Sequence, residues 1–186
     1  SVCYYFKTNK TNQQVLTGKI EYIDGIVATF NTGIFHQNSD AFFGVLQPLN
    51  DCNVGAPSTY NYTIFSPPAI RVDEWYCVVN TFENGIQRLY LNGELVKEEK
   101  RSFNNAATCS KTDFIIGSWW QQDPWWFSGV IDDVRYYNRA INAEEVKALC
   151  LAPNDSMIIN DYAAVLSMNN CQNGLVLDDA TAFNVG

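Results

Sequence analysis

Apolar and polar positions alternate along most of this chain, and a helical period appears only once, near the end. Residues 15 to 23, 25 to 32 and 41 to 47 read as successive strands, with Asp24-Gly25 turning the first into the second. Residues 75 to 96, WYCVVNTFENGIQRLYLNGELV, hold alternating runs turned at Asn84-Gly85 and again at Asn92-Gly93; Asn-Gly between such runs is the strongest short hairpin signal. In residues 129 to 149, Val130, Ile131, Val134 and Tyr136 form a half-buried strand. A helix over residues 142 to 149 follows, with Asn142 as its N-cap, Glu144 and Glu145 in its positive first turn, and Pro153 beyond its end. Residues 48 to 61 and 104 to 112 are long loops, the places where binding surfaces form at the ends of a sandwich. Pro67-Pro68 imposes an extended entry into the strand that follows.

Composition narrows the class. A chain of 186 residues with 47% hydrophobic content has one domain's length and a substantial core. Aromatics reach 14% while charged residues are only 17%, so the outer faces carry Asn, Thr, Ser and Gln, the balance of an extracellular or cell-surface protein. A net charge of -8 excludes nucleic acid as a partner, since the densest basic cluster is Lys97, Lys100 and Arg101. No apolar run approaches the roughly 18 residues of a membrane span. The start at Ser1, without initiator Met or leader, reads as a mature product or excised fragment.

Six cysteines, Cys3, Cys52, Cys77, Cys109, Cys150 and Cys171, are widely spaced with no CxxC pair, which points away from zinc and thioredoxin chemistry and toward disulfides. Cys150 with Cys171 is the expected first pair, because the short segment between them can fold back. Cys3 and Cys77 fall inside strands, where a small buried thiol is the alternative. Sequons at Asn9, Asn61 and Asn154 permit N-glycosylation, although so Asn-, Ser- and Thr-rich a chain yields such triplets by chance.

The best functional candidate is WWQQDPWWF, residues 119 to 127, which holds four of the five tryptophans. A turn at Asp123-Pro124 folds Trp119 and Trp120 back toward Trp125 and Trp126, where indoles stack on sugar faces and Gln121, Gln122 and Asp123 meet hydroxyls. Two alternatives stand beside glycan binding: a protein interface, and indoles that merely cap the open end of the sandwich. Catalysis is not expected. The lone His36 has no GxSxG, HExxH or His-Cys constellation around it, and only a carboxylate pair assembled in space is left to consider.

The segments LYLNG, residues 89 to 93, and FSGVIDDVRYYNRAINAEEV, residues 127 to 146, closely resemble the laminin G-like, concanavalin A-like jelly-roll family. SVCYYFKTN at the start resembles a strand of the family's first large sheet, and DFIIGS, residues 113 to 118, the strand before the Asp-containing one. The resemblance covers residues 1 to 150 and implies an all-β fold: a two-sheet antiparallel jelly-roll sandwich with the one short helix. It says little about chemistry, since the family includes lectins, adhesion modules, hormone binders and enzyme appendages. The ExDxxE-type motif of its hydrolases is absent. It also implies calcium at the rim, with Asp132 and Asp133 matching paired acidic positions and Asn50, Asp51 and Asn53 as further oxygen donors. The alternative is that either aspartate bonds Arg135, Arg139 or a backbone amide.

Residues 151 to 186 continue past the expected ending, and the apolar run at residues 163 to 168 followed by LDDATAFNVG resembles the family's own opening. This segment is expected to add a strand to its own or a neighbouring sandwich, in a permuted domain, one period of an array, or a self-associating subunit. A non-catalytic extracellular adhesive or structural module, a repeat or subunit of a surface fibre that binds glycan or protein through its rim loops, is the expected function. The alternative is a carbohydrate-binding module appended to a polysaccharide-active enzyme.

Overall fold

Both Asn-Gly pairs turn the chain as their chemistry requires. Asn84 and Gly85 sit at φ 50° and 78°, and Asn92 and Gly93 at 50° and 87°, the left-handed conformations of a tight hairpin that these two residue types accept most readily. The computed structural model describes residues 1–12, 14–22, 26–35, 41–46, 61–65, 70–105, 113–118, 125–151 and 164–166. In chain order these form β1 (Val2–Thr8), β2 (Gln14–Tyr22), β3 (Ile26–Phe35), β4 (Ala41–Leu46), β5 (Asn61–Phe65), β6 (Trp75–Glu83), β7 (Ile86–Leu91), β8 (Glu94–Lys100), β9 (Asp113–Ile116), β10 (Gly129–Tyr136), α1 (Ala143–Leu151) and β11 (Ala164–Leu166).

Two antiparallel sheets result. One has six strands in the order β11-β10-β1-β6-β7-β8, the other five in the order β5-β4-β3-β2-β9. Alternation decides what lies between them. Val2, Tyr4 and Phe6 of β1, Tyr76 and Val78 of β6, and Ile131 and Val134 of β10 pack with Leu16 of β2, with Phe114 and Ile116 of β9 against them. Ile131 and Val134, three apart, share this inner face because the register slips between Cys3 and Tyr5 of β1; the extra β10 residue is absorbed at Asp133, φ 52°.

The outer face of the six-stranded sheet has a smaller core of its own beneath α1. Cys3, Cys77, Val79 and Tyr90 from the strands meet Tyr137, Ile141, Val146 and Leu149. The helix begins with a capping box: Glu145 N–H donates to Asn142 Oδ1 at 2.9 Å, and Asn142 N–H to Glu145 Oε2 at 2.7 Å. Tyr5 donates its hydroxyl to the Leu149 carbonyl at the far end.

A disulfide joins Cys77 of β6 to Cys150 of α1 across 73 residues. This overturns the expected Cys150–Cys171 pair. Cys77 projects outward from β6 into the helix-covered face, where Cys150 packs against the same cluster. Cys3 is a correction too, a buried free thiol and not a disulfide partner. Cys52, Cys109 and Cys171 lie outside the described residues.

Candidate functional site

The tryptophan-rich segment is anchored by its last residues. Val15 N–H donates to the Trp125 carbonyl at 3.0 Å, Phe127 N–H to the Gly117 carbonyl at 2.8 Å, and Gly117 N–H to the Leu16 carbonyl at 2.7 Å. Ser128 then crosses to the other sheet, accepting from Asn9 N–H at 3.1 Å. Residues 125 to 128 thus bridge the sandwich at one end.

Gln14 fixes this bridge. Its buried amide nitrogen donates to the Lys10 carbonyl at 2.7 Å and lies 3.2 Å from Thr8 Oγ1 and from the Asn12 carbonyl, while its Oε1 accepts Ser128 N–H at 2.7 Å. A fully buried side-chain amide satisfied on both ends holds turn and bridge together, because losing one partner strands a polar atom in the core.

The bridge alternates like a strand. Phe127 turns inward to meet Phe6 edge-on, ring centroids 6.2 Å apart, and Trp126 before it projects outward with 52% of its surface exposed. Trp125 is half-buried. The structure therefore places one expected indole in solvent and one at the rim. Trp119, Trp120, Gln121, Gln122 and Asp123 lie outside the described residues.

The acidic pair meets different partners. Asp132 Oδ1 accepts the Asp133 N–H at 2.8 Å, and Asp133 faces the guanidinium fork of Arg135, with Nε to Oδ1 at 3.0 Å and Nη2 on Oδ2. Burial pushes the Asp133 carboxyl up, against the opposing pull of Arg135. A hard divalent ion needs about six to eight oxygens. Asp133 has both of its oxygens on Arg135, and no three His, Cys, Asp or Glu converge among the described residues, so the described acidic pair does not fit a calcium site. The further donors Asn50, Asp51 and Asn53, like His36, lie outside them. Of the sequons, Asn9 is exposed in a turn, Asn61 opens β5, and Asn154 lies outside the described residues.

The structure also brings together residues that sequence reasoning passed over. The fifth tryptophan, Trp75, is 48% exposed at the start of β6, and the Lys7 ammonium of β1 sits 5.4 Å from its ring centroid. Gln14 was equally silent, since its partners are known only once the two sheets are stacked.

Several solved structures share this architecture. A heptameric SAP-like pentraxin from Limulus polyphemus aligns over 80% of this chain and 68% of its own at 19% identity, TM-score 0.56. The CBM40 module of the IT-sialidase of Ruminococcus gnavus, bound to α2,3 sialyllactose, aligns over 80% of each chain at 17% identity, TM-score 0.58. Domain 4 of the GH43 extracellular arabinanase AbnA from Geobacillus stearothermophilus, in complex with arabinotriose, covers 80% and 65% at 18% identity, TM-score 0.54. At such identities the likeness is one of fold. Comparison with curated proteins finds no match. The Laminin_G_3 family model, described as the concanavalin A-like lectin/glucanases superfamily, matches residues 5–147, and with that match over most of its length the chain belongs to this family.

Proposed function

We propose that this domain is a non-catalytic, extracellular glycan-binding module that serves adhesion, and that Trp126 is its principal stacking residue. The observation that carries the reading is an outward indole on a rigidly pinned bridge. Trp126 stands half-exposed between Trp125, whose carbonyl is bonded to Val15 of β2, and Phe127, whose N–H is bonded to Gly117 just past β9. Sugars offer apolar C–H faces to aromatic rings, and a ring held before binding loses little freedom on complex formation. Two of the similar folds were solved with glycans bound, sialyllactose and arabinotriose, which supports a glycan over another ligand class.

A second reading has its own support. Those same two folds are parts of a sialidase and an arabinanase, so a module appended to a polysaccharide-active enzyme is the alternative to free-standing adhesion.

A glycan microarray probed with the intact protein tests the proposal. At least one oligosaccharide class is retained, and Trp126→Ala weakens that binding several-fold, on the order of 1 kcal/mol for one stacked ring, while the melting temperature stays put. Silence across the whole array, or full retention by Trp126→Ala, refutes it.

A further inference from the structure

The outer face of the six-stranded sheet is covered over only part of its length. Beneath α1 lie Cys3 of β1 and Cys77 and Val79 of β6, all buried, and Tyr5 marks the limit of the cover through its bond to Leu149. One step further along the strands the face opens. Register places Lys7 directly beside Trp75 on one side and Val130 on the other, a lateral row across three neighbouring strands. Phe6, Tyr76 and Ile131 of the same strands point into the core, so alternation sends Trp75, Lys7 and Val130 outward together. Trp75 and Val130 are each 48% exposed. At about 4.8 Å between strands, the row is about 10 Å long, enough for a short stretch of oligosaccharide.

Charge sharpens the choice of ligand. The chain carries 20 acidic against 12 basic residues, yet Lys7 has no carboxylate partner among the described residues; its ammonium rests over the Trp75 ring. Arg71, Arg88, Lys97, Arg101, Arg135, Arg139 and Lys147 are ion-paired, and of the described lysines without a carboxylate partner, Lys7, Lys10 and Lys100, it is Lys7 that sits over an aromatic ring. A cation left on an indole in an acid-rich protein is a place where an anionic group gains an ion pair without breaking one. The indole beside it offers a face for sugar C–H groups.

We propose that the Trp75–Lys7–Val130 row is a second binding surface, distinct from the Trp126 bridge, that takes a carboxylate-bearing glycan. The indole stacks on the sugar ring, Val130 packs against the next one, and the Lys7 ammonium swings from the ring to the carboxylate. The inference rests on the reading of the domain as a glycan binder, and it adds both a place and a class of sugar.

Calorimetric titration of the intact protein with two probe pairs tests it: oligogalacturonate against its methyl ester, and sialyllactose against lactose. Within each pair the charged member has a neutral counterpart. The wild type binds a charged member at least fivefold more tightly than its neutral counterpart, and added salt erodes the difference. Lys7→Met, which keeps the aliphatic stem, abolishes that preference with an unchanged melting temperature; Trp75→Ala weakens the charged probe at least fivefold. Equal affinity within both pairs, or preference that survives Lys7→Met, overturns the proposal while leaving the Trp126 reading intact. Equally tight binding of polyglutamate also overturns it, because charge alone would then suffice. A protein that binds no glycan of any kind loses both readings at once.

Discussion

At Gly129 a single missing methyl group sets where β10 begins. A Cβ built there meets the Lys7 carbonyl oxygen at 2.1 Å, Thr8 Cα at 2.8 Å and the Phe127 ring at 2.9 Å, and the backbone φ of 151° is one that side chains rarely adopt. Two of those three atoms are backbone of the neighbouring strand and cannot rotate away. Gly129→Ala is therefore expected to lose about 3 kcal/mol or more of stability, read as a lowered midpoint in denaturant. An unchanged midpoint would mean that β1 and β10 do not approach so closely. Cys3 makes the opposite point, since it is inert because it fits. Burial pushes its thiol from the ordinary 9.0 to about 12. Native protein should leave Cys3 unalkylated at neutral pH and yield it only on unfolding. A folded pKa raised above the unfolded one gives stability that is complete below pH 9.0 and is lost as pH climbs toward 12, so melting temperatures measured across that window should fall more steeply than in Cys3→Ala.

Among the elements, α1 depends most on a distant partner. Nine residues are marginal as an isolated helix, and only Val146 and Leu149 of this one are buried. The capping box starts it, and the Cys77–Cys150 bridge fixes its last turn to the sheet across a separation of 73 residues. A closed loop that long is worth about 4 kcal/mol in the chain-entropy account. Cys150→Ser is accordingly expected to melt at least 5 °C lower, and non-reducing peptide mapping should recover Cys77 linked to Cys150; a Cys150–Cys171 peptide would contradict the structure. What could be read from the sequence divides along the same line. The Asn-Gly hairpins, the Asn142 cap and the alternation of β1, β6 and β10 are written in neighbouring residues, and all reappear at their places. The disulfide partner of Cys77, the Gln14 pin and the meeting of Lys7 with Trp75 are set by which strands become neighbours, and no local pattern encodes that order. Candidate site residues split in the same manner. Trp126 is outward by simple alternation, whereas Asp133 turns to Arg135 because a bulge re-aims it.

For the molecule as a whole, the two edges of the six-stranded sheet are handled differently. β8, ELVKEEK, lines one edge with five charged residues out of seven, which resist an incoming strand by their solvation. Toward the other edge β10 carries Asp132 and the Asp133–Arg135 pair, and among the described residues its outer side is paired only at Val134, Arg135 and Tyr136, by Leu166, Val165 and Ala164 of β11. The bulge at Asp133 lies where that pairing stops, twisting the rest of the strand out of register with any straight partner. Three residue pairs and one bulge thus cover part of an edge whose backbone groups would otherwise stand open to another strand. Val165→Pro puts a proline in the middle of that short strand, and removal of residues 152 to 186 takes away the strand altogether. Both variants should expose the β10 edge, melting a few degrees lower and scattering light increasingly with concentration, with the truncation the more severe. A strand held within its own chain predicts that the parent protein stays monomeric across the same concentrations, and a strand lent to a neighbour predicts that the truncation abolishes polymers already present. A truncated protein that remains monomeric, soluble and equally stable would mean that β11 protects nothing, and that the bulge and the Asp133–Arg135 fork suffice to guard the edge.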